Sequence, residues 1–231
     1  MGLPKEQPRY LQHPNWTPIA NNVFDNLSLQ GSYSAAIYLW LYDKCYWAKA
    51  NAVTVTASQL VKVFKLDAHT ADRCLTELKL AGLIRQTQSG VKRSKTQKPV
   101  YRVPAVSSFD PAEGWTPIPR FLIRKYPRLY PDAVVLPYLI FCQQLSRRDF
   151  SYPSNRKIGS RFNWSTRTVS RVIRDLTNPE NWEKYRVPCP LKSKIMRKDG
   201  KTVRHLSVTA ISYAGRYPRI TRSFRSAFNC L

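Results

Sequence analysis

The side chains best suited to recognising a ligand lie in two segments, residues 59–79 and 157–177. In each segment apolar residues recur at i, i+3, i+4 and i+7, which predicts a helix with one buried face. The opposite face carries arginine, threonine, serine and histidine, whose hydrogen-bonding groups match phosphate oxygens and base edges. The side chains that we expect to reach base edges are His69, Thr70, Arg73, Thr76, Arg167, Thr168, Ser170, Arg171 and Arg174.

These two segments are copies of one sequence unit. Aligned without a gap, they place Phe64 on Phe162 and Arg73 on Arg171, at an offset of 98 residues. The sequence Trp-Thr-Pro-Ile also occurs twice upstream, beginning at residues 16 and 115, at an offset of 99. Two matches at nearly one offset indicate a tandem duplication, and we therefore predict two homologous domains.

Each copy predicts a short helix, a turn and a longer helix. The short helices are expected over about Ala57–Phe64 and Ser154–Phe162, and Asp67 and Ser165 can cap the longer helices that follow. This spacing is typical of a helix-turn-helix, whose second helix lies in the DNA major groove. The residues predicted to be buried are Ala71, Cys74, Leu75 and Leu78 in the first copy and Val169, Val172, Ile173 and Leu176 in the second.

Strand-forming sequence follows each longer helix. After the first, Gly82 suits a left-handed helix end, and strands are expected from Leu83 and over residues 100–103, on either side of the basic residues 91–98. After the second, a hairpin with a two-residue turn is expected. Its parts are Lys192–Lys198, the turn Asp199-Gly200 and Lys201–Thr209.

A helix-turn-helix followed by a basic β-hairpin resembles the winged helix-turn-helix superfamily. The resemblance covers roughly residues 15–103 and 114–213 and implies an α+β, mainly α fold with two tandem winged-helix domains and β-hairpin wings. The predicted organisation is a leader at 1–14, domain 1 at 15–103, a linker at 104–114, domain 2 at 115–213 and a basic tail at 214–231.

The most apolar stretch of the chain is Tyr33–Trp47, with a counterpart at Asp132–Leu145. Aromatic residues at helical spacing among Leu and Ile predict a core helix rather than a surface for base stacking. The surplus apolar surface of Tyr33–Trp47 leaves two roles open, a seal between the two domains or the interface of a homodimer.

The excess of positive charge is large and unevenly spread. The chain has 38 Lys and Arg against 14 Asp and Glu, a formal net charge of +24. No acidic residue occurs between Glu77 and Asp110, and beyond Glu183 only Asp199 is acidic. This distribution indicates a polyanion binder. The phosphate contacts that we predict on the wings and tail are Lys92, Arg93, Lys95, Lys98, Lys194, Arg197, Lys198, Lys201, Arg204, Arg219 and Arg222.

Other kinds of chemistry lack their residues in this sequence. Five widely spaced cysteines without a CxxC pair and three scattered histidines form no zinc framework. Gly200-Lys201-Thr202 resembles the end of a phosphate-binding loop but lacks the earlier glycine, and Asp67, Glu77 and Lys79 copy a nuclease spacing only superficially, Glu77 being interpreted as a surface or wing-root residue. We expect no enzyme, metal, cofactor or small-molecule ligand, and a cytoplasmic, nucleoid- or plasmid-associated location without a membrane span.

Double-stranded DNA is the partner that these features predict. Two winged helices without a ligand-sensing or ATPase domain resemble plasmid and phage replication initiators, which implies binding of repeated origin sites through two recognition helices. A transcriptional or partition regulator is the alternative in the same class. The alternative in another class is an interaction module of a replication or segregation complex with non-specific DNA affinity. We expect the more basic second helix to dominate specific contact, with the two helices about 10 base pairs apart.

Overall fold

The computed structural model describes residues 16–20, 22–23, 26, 31–88, 98–108, 115–124, 154–183, 189, 191–198 and 200–208. This part of the chain is α+β and mainly helical, with small antiparallel sheets, so the predicted fold class is confirmed at that level. None of the described helices has both the length and the apolar character needed to cross a membrane.

Both halves of the described chain contain strands and helices, and in each half a pair of helices precedes a pair of strands. The elements of the first half are β1 (Trp16–Ala20), α1 (Ser32–Trp47), β2 (Ala52–Thr54), α2 (Ala57–Phe64), α3 (Ala68–Leu80), β3 (Arg85–Gln88), β4 (Val100–Arg102) and α4 (Pro104–Ser107). Those of the second half are β5 (Trp115–Pro119), α5 (Arg120–Arg124), α6 (Asn155–Phe162), α7 (Thr166–Thr177), α8 (Glu180–Glu183), β6 (Leu191–Lys198) and β7 (Lys201–Val208).

Helix α1 is the centre of the first half. Every residue from Ala35 to Tyr42 is buried, so the helix is covered on all sides, as its uninterrupted apolar sequence predicts. Trp40 meets the ring of Phe64 edge-on, with the ring centroids 5.9 Å apart, which joins α1 to α2. The predicted core role of this stretch is therefore confirmed. Its counterpart at 132–145 lies outside the described residues.

The two helix pairs α2–α3 and α6–α7 have the same local construction. Lys65 and Asn163, which are 98 residues apart, both adopt a left-handed conformation (φ of 54° and 52°) where the shorter helix ends. Asp67 and Ser165 then cap the longer helix through their side chains, as predicted. Each longer helix buries the four apolar residues expected of it. The second short helix begins one residue later than expected, because Ser154 is its N-cap.

A three-stranded antiparallel sheet, in the order β2-β4-β3, follows the first helix pair. We expected its first strand to begin at Leu83, but the strand begins at Arg85. The amides of Leu83 and Ile84 instead donate to the carbonyl of Leu78 and close the end of α3, after Gly82 turns left-handed (φ 70°). Residues 89–97, which hold most of the predicted first wing, lie outside the described residues.

The second hairpin forms where the sequence predicts it. Strands β6 and β7 pair antiparallel from Leu191↔Val208 to Lys198↔Lys201, which leaves a two-residue connection at 199–200. Gly200 has a positive φ of 70°, the conformation for which glycine is favoured in such turns. Leu191 and Leu206 are buried at the base of the hairpin, and β6 contacts α7.

Strands β1 and β5 form a two-stranded antiparallel ribbon that the sequence analysis did not predict. Thr17 lies opposite Ile118, Ile19 opposite Thr116, and Pro18 opposite Pro117. Two facing prolines fit a non-hydrogen-bonded pair, because at such a position the N–H would point away from the partner strand and proline has none. The two Trp-Thr-Pro-Ile sequences are therefore paired with each other.

The predicted linker at 104–114 begins with regular structure. Residues Pro104–Ser107 form the one-turn helix α4, with proline in the first turn, where its missing N–H costs no hydrogen bond. This helix contacts α1, and Val103 before it donates its amide to the carbonyl of Asn51. The start of this segment therefore packs on the first half. Residues 109–114, the leader 1–14 and the tail 214–231 lie outside the described residues.

Candidate nucleic-acid interface

Helix α7 presents a basic face to solvent. Val169, Val172, Ile173 and Leu176 hold the helix against the core, and Arg167, Ser170, Arg171 and Arg174 are exposed on the rest of its surface. The guanidinium of Arg174 lies 3.7 Å from the carboxylate of Asp175, a long and solvent-exposed pair that restrains it little. Three guanidinium groups are thus displayed on one helix of twelve residues.

The first turn of α7 is fixed by its cap. The Ser165 hydroxyl accepts a hydrogen bond from the amide of Thr168 at 3.1 Å, and the two hydroxyls lie 2.9 Å apart. Thr168 is half-buried, and a base contact by its hydroxyl would have to replace that bond. The Ser170 hydroxyl accepts a hydrogen bond from the Asn155 side chain at 2.8 Å, which ties α7 to α6. These two predicted base-reading residues therefore also hold the helix in place.

Glycine at position 159 lets α6 approach the turn before α7. A Cβ at Gly159 would lie 2.5 Å from the carbonyl oxygen of Trp164, closer than real contacts allow. The Trp164 amide donates to the Gly159 carbonyl at 2.9 Å, and its ring stacks on Phe162 with centroids 4.7 Å apart. The direction in which α7 leaves the turn is set by these contacts.

Helix α3 carries a less basic face than α7. His69, Asp72, Arg73 and Thr76 are exposed, but Asp72 offsets one cation and the Arg73 guanidinium lies 3.7 Å from the Glu77 carboxylate. Lys79 adds a second exposed cation in the last turn. The predicted difference in charge between α3 and α7 is thus visible in the side chains that each helix displays.

Thr70 in α3 repeats the role of Thr168. Its amide and hydroxyl donate to the two carboxylate oxygens of Asp67 at 2.8 and 2.7 Å. Hydrogen bonds from the hydroxyl and then the amide of Thr70 hold the pKa of Asp67 below its ordinary value. The hydroxyl of Thr70 is therefore engaged in the cap, and a base contact by it would have to replace that bond.

Glu77 connects α3 to the start of α1, a role that the sequence analysis missed. The Ser34 hydroxyl donates to the Glu77 carboxylate at 2.5 Å. Gly31, the N-cap residue of α1, provides no side-chain cap, and a carboxylate near a helix N-terminus is stabilised by the helix dipole. Glu77 therefore remains partly exposed, as expected of a surface residue, and in addition it positions α3 against α1. Its only sequence signal is an acid one turn before the end of a helix.

The hairpin β6–β7 carries most of the predicted phosphate contacts that lie within the described residues. Among the predicted phosphate contacts, Lys194, Arg197, Lys201 and Arg204 are exposed on it, and Lys198 lies opposite Lys201 beside the turn. Lys192 is also exposed. In the first half Lys98 is exposed beside β4. The predicted contacts outside the described residues are Lys92, Arg93, Lys95, Arg219 and Arg222.

Two large apolar side chains stand among these hairpin cations. Ile195 is 67% exposed and Met196 is 40% exposed. In the strand register Ile195 lies opposite Arg204, and Met196 lies opposite Val203. The hairpin therefore offers apolar as well as cationic contacts to a partner.

A buried carboxylate joins α1 to the start of the second half. Asp43 accepts a hydrogen bond from the Thr17 hydroxyl at 2.7 Å and ion pairs with Arg120 at 2.9 Å and Arg124 at 3.2 Å. Trp47 donates its indole N–H to Thr17 at 3.0 Å, and the Arg120 guanidinium lies 4.4 Å from the centre of the Trp47 ring. The sequence contained a sign of this buried ion pair, since Asp43 is the one acidic residue within the apolar run 33–47.

The described cysteines are free thiols. They are Cys45, Cys74 and Cys189. Burial raises the pKa of Cys45 to about 11 and also raises the pKa of Cys74 and Cys189 above the ordinary value. Within the described ranges, no group of three or more His, Cys, Asp or Glu could hold a metal ion.

A scan against protein-family models and searches of curated proteins and of solved structures find no match to this chain.

Proposed function

We propose that this chain is a sequence-specific double-stranded DNA-binding protein built from two winged-helix domains by internal duplication. The observation that carries the proposal is α7, a helix anchored by four buried apolar residues that directs three arginines to solvent. Arginine makes bidentate hydrogen bonds to guanine in the major groove, the groove wide enough for a helix. The cations of the β6–β7 hairpin, which contacts α7 at its base, would then bind phosphates.

The duplication is supported by backbone geometry as well as by sequence. The left-handed residues 65 and 163, the side-chain caps at 67 and 165 and the four-residue buried stripes all recur at one offset of 98. Each helix pair is followed by antiparallel strands, as in a winged helix. A repeat of this kind gives one polypeptide two recognition helices.

The two helices would contribute unequally. On α7 the exposed arginines face one adjoining acid, Asp175, whereas on α3 Arg73 and Lys79 share the surface with Asp67 and Asp72. Phosphates repel carboxylates, so the second half would supply most of the specific affinity. The balanced charge of α3 and its exposed Leu80 favour a second candidate role for the first half, contact with another protein or a second copy of the chain.

For the biological process, we propose initiation of plasmid or phage replication, in which paired recognition helices bind repeated origin sites. A transcriptional or partition regulator is the alternative. Selection of binding sites from the DNA surrounding the gene separates them, because an initiator would protect an array of short repeats beside its own gene. A regulator would protect one site at its promoter, and an interaction module would protect no particular sequence.

Binding measurements on single variants test the proposed roles of the side chains. With the preferred duplex, Arg171→Ala should raise Kd about 5- to 150-fold, the equivalent of about 1–3 kcal/mol, and should change binding to random duplex little. Lys194→Ala should weaken binding to both duplexes alike and lower the slope of log K against log salt by about 0.9. Arg156→Ala is the matched control, since Arg156 is an exposed arginine on α6, outside the predicted reading face.

Two outcomes would contradict the proposal. If six or more phosphates are bound, affinity should fall about 10³-fold or more between about 50 and 200 mM salt, so a flat salt dependence would remove its electrostatic basis. Equal effects of Arg171→Ala and Arg156→Ala on the preferred duplex would show that α7 does not read bases.

A further inference from the structure

The register of the β1–β5 ribbon is symmetric with respect to the duplication. Thr17 lies opposite Ile118, and their equivalents 99 residues away, Thr116 and Ile19, lie opposite each other. The outer pairs Trp16↔Pro119 and Ala20↔Trp115 are related in the same way, with the Pro18↔Pro117 pair at the centre. A half-turn about the midpoint of the central pair therefore exchanges the two strands.

Such a pairing is the kind found in a two-fold dimer, where the same patch on each partner meets itself. Two strands of one sequence could pair in many registers, and a shift by one residue would turn every side chain to the other face of the ribbon. In the observed register Thr17, Ile19 and Ile118 share one face and are fully buried. The symmetric register places these three side chains in the core, and Trp16, Pro18 and Ala20 on the other face of β1 are buried as well.

The recognition helix of the first half is fastened to its ribbon strand. The Thr17 hydroxyl of β1 is bonded to Asp43 and Trp47 of α1, and α1 packs against α3, where Ser34 holds Glu77. The spacing from strand to helix pair is repeated in the second half, since Phe64 is 48 positions after Trp16 and residue 162 is 47 positions after residue 115. Helices α3 and α7 would then be related by the same two-fold axis as the strands.

From this symmetry, and resting on the proposed function, we infer that one chain binds two half-sites in inverted orientation and not as a direct repeat. Protein two-fold symmetry is matched by the symmetry of its operator, because the two strands of a duplex are themselves related by dyads. The half-sites differ in sequence because the exposed residues of α3 and α7 differ. The natural site is therefore not a palindrome in sequence. Its two half-sites are nevertheless expected to run in opposite directions along the duplex.

Three substitutions make the orientation of the two half-sites measurable, because they give α3 the same base-contacting residues as α7. At the 98-residue offset, Thr70 and Arg73 already match Thr168 and Arg171, and the differing positions are 69, 72 and 76. The triple variant is His69→Arg, Asp72→Ser and Thr76→Arg. All three positions are exposed, so the fold should be retained, which circular dichroism checks.

Site selection from random duplexes, carried out with the full-length triple variant and with the parent chain, tests the inference. We expect the variant to enrich a palindrome of two identical half-sites, and the parent to enrich one of those half-sites beside a different sequence. A direct repeat, or a single half-site, would overturn the inference and leave DNA binding through α7 intact. Failure of both chains to enrich any sequence would instead overturn the proposed function.

A disulfide tests the ribbon itself. Residues opposite each other at a non-hydrogen-bonded position have Cα atoms about 4.5 Å apart, within the range that a disulfide spans. Pro18→Cys with Pro117→Cys should give a nearly complete 18–117 link on oxidation, identified by peptide mapping. The control pair, Pro18→Cys with Pro119→Cys, is offset by two residues and should link several-fold less. Equal yields would overturn the symmetric register.

Discussion

Replacing Asp43 by alanine tests the contact between α1 and α5. The carboxylate is buried and is bonded to Thr17, Arg120 and Arg124, so the substitution removes the carboxylate that lies 2.9 Å from the Arg120 side chain, which is 16% exposed. Removing one partner of a buried ion pair costs about 3–5 kcal/mol. Because Arg124 is 53% exposed and water can solvate it, we expect the low end, about 3 kcal/mol or roughly 150-fold in the folding equilibrium.

Urea unfolding followed by tryptophan fluorescence measures this loss, since the Arg120 guanidinium lies on the ring of Trp47. A double-mutant cycle divides it between the two arginines. The coupling of Asp43 with the largely buried Arg120 should be about 2 kcal/mol, and its coupling with Arg124 should be about 0.5 kcal/mol. Asp72→Ala, an exposed aspartate on α3, is the control and should change stability by less than about 0.5 kcal/mol.

Two results would refute this reasoning. One is an unfolding free energy of Asp43→Ala within about 0.5 kcal/mol of the parent, which is the range of an ordinary surface substitution. The other is a stronger coupling of Asp43 with Arg124 than with Arg120. Either would mean that water reaches the carboxylate and that the ion pairs do not hold α5 on α1.

Three further predictions concern the second half and the thiols. Gly159→Ala should destabilise the chain by about 1–3 kcal/mol in urea unfolding, because its Cβ would meet the Trp164 carbonyl at 2.5 Å; an unchanged midpoint would contradict that close approach. Ser165→Ala should lower the free energy of unfolding by about 1 kcal/mol, because it removes the side-chain cap of α7. A loss no larger than that caused by replacing a surface serine that caps no helix would show that the cap is dispensable. Iodoacetamide should modify the half-buried Cys189 before the buried Cys45, as measured by peptide mass spectrometry. Because the pKa of Cys45 is raised to about 11, its alkylation rate should keep increasing with pH up to that value, and a plateau near pH 9 would show a normal, solvated thiol.

Sequence alone predicted the elements whose causes are local. The buried stripe of α7 follows from the spacing of Val169, Val172, Ile173 and Leu176. The start of the helix follows from Ser165, whose side chain accepts a hydrogen bond from the amide three residues later. The hairpin turn follows from a glycine that tolerates positive φ. In each case the determining residues lie within about one turn of each other along the chain, so no knowledge of the fold was needed.

What the sequence did not reveal depends on partners distant in the chain. The Trp-Thr-Pro-Ile repeat was recognised as a sign of duplication, but nothing within it says that the copies pair with each other across about 99 residues. The bonds from Asp43 to Arg120 and from Ser34 to Glu77 span 77 and 43 residues. An aspartate inside the apolar run of α1 did signal a buried counter-ion, because such charges are seldom buried unpaired, but it could not identify the arginine.

The proline pair in the β1–β5 ribbon has a consequence for assembly between molecules. A chain that carries a self-complementary strand sequence twice could exchange strands with its neighbours, and among the described residues no third strand pairs with either edge of the ribbon. At Pro18 and Pro117 the outward position of each edge has no N–H, so an added strand would lose a ladder hydrogen bond at its centre. We therefore expect the two prolines to disfavour strand addition beyond a closed pair, so that the sequence which joins the two halves also opposes polymerisation into fibres.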